Sequence, residues 1–126
     1  MTPALPPYAQ LLGLTIEEVD GGVPRLAMPF GGAVLGRPGF VHGGAIGGLL
    51  EMAAIVALRR ELGGGVRIKP VNLTVDYMRG GREKTTYAVA SIRRLGRRIA
   101  NVDATVWQDD AEAPIAAARL TFLLKR

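Results

Sequence analysis

Four residues have the types and spacing for chemistry: His42, Gly43 and Gly44 in succession, and Glu51 nine residues after the histidine. The two glycines stand where an apolar helical pattern begins. The unpaired backbone N–H groups of a helix start, with the positive end of its dipole, therefore face outward there. With no Cβ at either position, a carbonyl oxygen can approach those N–H groups closely. That is the chemistry of an oxyanion site, in which one donor is worth about 3 to 4 kcal/mol. The same glycines would also permit a tight helix entry packed against a sheet.

Glu51 interrupts an otherwise apolar helical run, and its i−4 and i+4 neighbours, Gly47 and Ile55, cannot pair with it. A buried carboxylate without a partner is costly, so it is either an acid–base group or an acid held by loop amides or hydroxyls. Gly43 and Glu51 are eight residues apart on one helix, about 12 Å along its axis, too far to meet on one substrate carbon within a subunit. A symmetric dimer that sets Gly43 of one chain against Glu51 of the other would bring them together.

Composition narrows the alternatives. The chain has no cysteine and one histidine, which excludes disulfides, thiolate nucleophiles, cysteine-based zinc sites and a histidine-rich metal centre. A serine triad would have to use His42, and no G-x-S-x-G elbow is present. Carboxylate, backbone amides and water remain, with no metal or redox cofactor expected. At 126 residues and 48% apolar side chains, the chain reads as one domain spanning 1–126. It has no apolar run of membrane-spanning length and no secretory n- and h-regions at Met1 to Gln10, so a soluble cytoplasmic protein is expected. The net charge of +5 favours an anionic partner, whether a phosphate-bearing cofactor, nucleic acid or membrane, without choosing among them.

Periodicity supplies the elements that must position these residues. Pro3 to Leu11 holds a short helical turn before a strand-like stretch at Leu12 to Ile16. A turn at Asp20-Gly21-Gly22 leads into Val23 to Phe30, whose prolines at 24 and 29 predict an edge position or an early stop. Gly31 to Val41 is too rich in glycine and proline for regular structure. Gly43 to Leu62 is a helix apolar on almost every side, hence buried, with Arg59 and Arg60 suiting its C-terminal dipole and Gly63-Gly64-Gly65 ending it. Four strands with a period of two follow, at Arg67 to Met78, Thr85 to Arg93, Arg98 to Trp107 and Pro114 to Leu124. The fold class is α+β: a long antiparallel sheet wrapped around one central buried helix.

Phe40-Val41-His42-Gly43-Gly44, followed by an apolar helix with an acid at 51, resembles the HGG-x(6)-D/E signature of PaaI-type hotdog-fold acyl-CoA thioesterases. The likeness continues through Asn72 to Arg79, the Leu95-Gly96-Arg97-Arg98 hairpin and Ala116 to Phe122, and covers nearly the whole chain from Leu12 onward. The resemblance implies a hotdog fold in which the Gly43 amide polarises a thioester carbonyl. It implies that Glu51 attacks the carbon or activates a water, and that His42 positions the amide rather than acting as base. It further implies that coenzyme A, as part of the substrate, runs over Arg79 and the Gly96-Arg97-Arg98 hairpin. Assembly is implied to be a homodimer that pairs into a homotetramer. The chain departs from the family twice: Gly36 stands where several members carry Asn or Gln, and Arg79 where some carry a serine. Glu51 is left as the only evident acid–base group.

Two rival readings come from other classes. One is a hotdog module that binds acyl-CoA without cleaving it. The other is a nucleic-acid-binding domain, suggested by charge alone. With one tryptophan, three tyrosines, three phenylalanines and no recognition motif, the second has little to carry it, and no nucleic-acid or membrane partner is expected.

Overall fold

A computed structural model describes residues 5–18 and 22–126. Pro3 and most of the expected turn at Asp20-Gly21-Gly22 lie outside them. The elements are helix α1 (Pro7–Leu11), strands β1 (Thr15–Glu18) and β2 (Pro24–Met28), helix α2 (Gly43–Leu62), and strands β3 (Arg67–Tyr77), β4 (Thr86–Leu95), β5 (Ile99–Trp107) and β6 (Ala116–Lys125). All six strands form one antiparallel sheet in the order β1-β2-β4-β5-β6-β3, with α2 across one face. This is the hotdog arrangement. No helix of the described residues is long and apolar enough to cross a membrane.

Alternation decides which face of the sheet meets the helix. Along β5, Ala100, Val102, Ala104 and Val106 are buried; along β6, Ala116, Ala118, Leu120, Phe122 and Leu124 are. Against them α2 buries Leu49, Leu50, Ala53, Ala54 and Leu58. The alanines of β4, β5 and β6 let the helix approach the strands, and Leu120 and Phe122 fill the space beside it. The helix ends where Gly63 adopts φ 75° and donates its N–H to the Arg59 carbonyl at 2.9 Å. The Arg59 side chain then donates to the carbonyls of Gly63 (2.7 Å) and Val66 (2.6 Å), so a cation satisfies the frayed end.

Three expectations are refined. The segment 31–41 is not wholly irregular: Gly32–Val34 forms a 3-10 turn, and Leu35 and Val41 make an isolated bridge. The β2 strand does stop early, yet it is interior, between β1 and β4; Pro24 is tolerated because β4 pairs only Leu26 to Met28. The helix is not buried on every side. Gly48, Glu51 and Ile55 are half-buried, since they lie on the face turned away from the sheet.

The edge strand β3 is 11 residues long and pairs only with β6. It exposes Val71 (54%), Leu73 (39%) and Tyr77 (54%), and Met78 just beyond it is 49% exposed.

Beyond the turn that follows β3, Thr86 is the one fully buried polar residue among those described. Gln108 donates to its hydroxyl at 3.1 Å and to the carbonyls of Arg82 (2.9 Å) and Lys84 (3.2 Å), and accepts the Arg82 N–H at 2.9 Å. Gln108→Ala leaves the buried Thr86 hydroxyl without this partner, the other three bonds being exposed, and is expected to destabilise the protein by about 1 kcal/mol. The denaturant midpoint should fall with an unchanged m-value; a midpoint equal to wild type would show that Gln108 does not hold this turn.

Candidate active site

The path into α2 is set by short backbone links. The N–H of His42 donates to the Val34 carbonyl (2.8 Å), and the N–H of Val41 to the Gly81 carbonyl (2.9 Å), so the loop before the helix is tied both to itself and to the turn after β3. His42 is the N-cap, with extended backbone (φ −63°, ψ 133°). Its ring Nδ1 accepts the Gly44 N–H at 2.9 Å, and its carbonyl accepts from the N–H groups of Ala45 (3.0 Å) and Ile46 (3.1 Å). Of the four first-turn donors, only the N–H of Gly43 therefore lacks a partner among the described residues. The two glycines are thus unequal: Gly44 is spent on the cap, and Gly43 keeps a free donor.

Tyr77, at the end of β3, donates its hydroxyl to the Gly43 carbonyl at 2.8 Å. In the sequence Tyr77 is one residue of a strand with a period of two, and only its place at the strand end, just before the Arg79-Gly80-Gly81 turn, marks it out. A pocket of about 520 Å³ opens here, lined among others by Gly36, Arg37, Phe40, His42, Gly43, Tyr77 and Arg79. Arg37, Phe40 and the 78–81 turn join the lining because the Val41 to Gly81 link draws the loop against the end of β3.

At Gly36 the loop runs close over the N-cap, and a side chain would fit only if the loop shifted by a few tenths of an ångström. A Cβ there would lie 3.0 Å from the Cα and 3.2 Å from the N of His42. The departure at this position is thus coupled to the close path of the loop over the N-cap.

Glu51 does not line this pocket. It lies two turns further along α2, half-buried. The side-chain carboxylates engaged in hydrogen bonds or ion pairs among the described residues are those of Glu17, Glu18, Asp103, Asp109 and Asp110. The expected burial of Glu51 is thus only partial in one protomer, because nothing of the same chain covers that face of the helix completely.

The basic residues separate in the same way. Arg79 lines the pocket, whereas Gly96, Arg97 and Arg98 form the β4–β5 hairpin, closed by the Gly96 N–H to Ile99 carbonyl bond (2.9 Å) and braced by Arg126 on the Gly96 and Arg97 carbonyls. Tyr77 pairs with Ala116 at one end of β6, while Arg98 accepts from Leu124 near the other, a separation of about 27 Å at strand rise. One protomer does not place Arg79 and the hairpin on one ligand phosphate.

Residues 38–115 match the family model described as the thioesterase superfamily. Over 94% of this chain and 85% of the relative, the sequence is 26% identical to the medium/long-chain acyl-CoA thioesterase YigI of Salmonella typhimurium. Among solved structures, a Bacillus halodurans protein determined with CoA superposes with a TM-score of 0.86 at 27% identity, covering 94% of this chain and 78% of that one. A phenylacetic acid degradation-related protein from Ralstonia eutropha JMP134 gives a TM-score of 0.82 at 27% identity over 96% of this chain and 92% of its own.

Proposed function

Because this chain belongs to the thioesterase superfamily, we propose that it hydrolyses acyl-CoA thioesters with the Gly43 N–H as oxyanion donor and Glu51 as the acid–base or nucleophilic carboxylate. The observation that carries the assignment of the donor is the cap: His42 consumes the Gly44 N–H and leaves that of Gly43 free beside a pocket. Developing charge on the thioester oxygen is held by this N–H and by the helix dipole behind it. As a base, Glu51 takes a proton from water while oxygen bonds to the acyl carbon; the C–S bond then breaks and the proton passes to the CoA thiolate. As a nucleophile, its oxygen bonds to the acyl carbon, the C–S bond breaks and CoA leaves as thiolate. Water then splits the mixed anhydride, freeing the acid and the Glu51 carboxylate and supplying the proton that the thiolate takes up.

Both routes require two protomers. The span of about 12 Å between Gly43 and Glu51 along α2 is too long for one scissile carbon. The long β3 edge, with Val71, Leu73, Tyr77 and Met78 exposed, suits pairing with β3 of a second copy, which would also cover the half-buried face of α2. The functional unit in this reading is a cytoplasmic homodimer. For assembly to a tetramer, the outer face of the sheet offers a polar groove with both signs of charge, lined by Asn72, Thr74, Asn101, Asp103 and Arg119 among others.

Tyr77 acts through Gly43, steadying the first helical turn. Tyr77→Phe is expected to lower kcat about three- to tenfold with little change in KM, on the scale of one hydrogen bond. A rise in KM of the same size with kcat unchanged would instead show that the hydroxyl serves ground-state binding.

The deciding assay is thiol release from a panel of acyl-CoAs, straight-chain of several lengths and aromatic. Turnover on any of them supports hydrolysis, and the preferred chain identifies the acyl class. Tight binding of acyl-CoA with no turnover on the whole panel would replace the enzyme by a binding module.

A further inference from the structure

The positive charge near the pocket is arranged around one aromatic ring. The guanidinium carbon of Arg37 lies 4.2 Å from the centroid of Phe40, and that of Arg82 lies 4.4 Å from the same centroid. Neither is in an ion pair among the described residues, where the ion pairs join Arg25 to Glu17, Arg60 to Glu18, Lys84 to Asp109 and Arg93 to Asp103. Arg79 lines the same pocket as Arg37 and Phe40.

The half-buried ring is packed against the turn after β3. A Cβ on Gly80 would come within 2.6 Å of it, so Phe40 rests on the bare backbone of the turn after β3. The Phe40 N–H donates to the Arg37 carbonyl (3.0 Å), and its carbonyl accepts from Gly36 (2.9 Å). On the other flank, Gln108 grips both the N–H and the carbonyl of Arg82. Two segments distant in sequence thus deliver one guanidinium each to a common platform. A guanidinium stacked on a ring keeps its N–H edges free for an anion and has less freedom left to lose. Holding two such charges together without a carboxylate is repulsive until an anion joins them.

We propose that Arg37 and Arg82, held on Phe40, form a clamp for the phosphates of the CoA substrate, with the arm between phosphate and thioester lying in the pocket that leads to Gly43. The inference rests on the acyl-CoA reading above. It places the phosphates of a protomer's own pocket at the Phe40 end rather than on the same chain's Gly96 hairpin, which is about 27 Å away along β6.

The test compares wild type with Arg37→Ala/Arg82→Ala, Arg37→Lys/Arg82→Lys and Phe40→Leu. CoA affinity is read by calorimetry. The kcat/KM is read on one acyl-CoA and on the matching acyl-pantetheine thioester, which lacks the phosphates. The double alanine variant should weaken CoA binding about a hundredfold, with a loss on acyl-CoA at least tenfold greater than on acyl-pantetheine. The lysine pair, which keeps charge but not the planar stack, should recover only part of it. Phe40→Leu should give a smaller loss of the same kind. Titration with 3′-dephospho-CoA names the phosphate: if the double variant's loss disappears, the clamp holds the 3′-phosphate; if it persists, the diphosphate. Unchanged CoA affinity, or equal losses on the two substrates, overturns the clamp. Calorimetry needs no turnover, so a wild type that binds CoA through these arginines but releases no thiol would sink the hydrolase reading and leave the clamp standing.

Discussion

Glu51→Gln is expected to lower kcat on the preferred acyl-CoA by at least about a hundredfold, the scale of a lost acid–base group, with the thermal midpoint close to wild type. Glutamine keeps the length and both polar atoms of the side chain and removes only the basic or nucleophilic carboxylate. In the protomer Glu51 is half-buried and is not among the carboxylates that hold the fold through ion pairs. Its replacement therefore removes chemistry without removing a structural contact of the described chain. Glu51→Ala should fall as far. An acid with a structural role predicts the reverse pattern, with Gln largely restoring what Ala loses and both losses appearing in stability. Turnover within about threefold of wild type in Glu51→Gln would remove this residue from the mechanism.

Gly43→Pro is expected to cost about a hundred- to a thousandfold in kcat, the magnitude measured when one oxyanion donor is deleted. The substitution is unusual in that it removes a backbone N–H and should still fold. Proline is well tolerated at the first position of a helix, where the lost N–H has no intrahelical acceptor. His42 before it already has the extended backbone that proline demands. A Cβ at 43 would meet the Tyr77 hydroxyl at 3.5 Å, an ordinary contact. Gly43→Ala, which has the Cβ and keeps the N–H, should retain most of the activity, so the pair separates the donor from the space. Equal losses in the two variants would mean that room for the substrate, not the N–H, is what glycine supplies.

The two inactive variants together test where the site is assembled. If Gly43 and Glu51 meet across a dimer, a chain with Gly43→Pro and a chain with Glu51→Ala share one intact site in each mixed dimer. Statistical mixing should then restore about a quarter of wild-type activity, whereas a site within one protomer restores none.

The helix and most of the sheet could be read directly from residue order. Twenty residues between Gly43 and Leu62 without a helix breaker other than glycine, closed by Gly63, and the alternation of Ala100 to Val106 are local patterns that survive in any tertiary context. Strand ends were less legible. Neither Leu95, included in β4, nor Pro114, left out of β6, carries a local signal for where pairing stops. The early stop of β2 is legible in its prolines but its interior place is not, because proline argues for an edge only if its neighbour needs the missing N–H.

For the site, the sequence by itself determined which groups are candidates for chemistry: with no cysteine and a single histidine, it left the helix-start amides of Gly43 and Gly44 and the isolated carboxylate of Glu51, and the resemblance to the thioesterase signature gave them their expected roles. Tertiary structure decided which of those groups is free and what surrounds it. That His42 occupies the Gly44 N–H, that Tyr77 anchors the Gly43 carbonyl, and that Arg37 and Arg82 share one ring all depend on contacts between segments distant along the chain, whose geometry is set by sheet pairing and loop closure. The same holds for the split between Arg79 and the Gly96 hairpin: basic turns look alike in one dimension, and only the antiparallel course of β6 puts them at opposite ends.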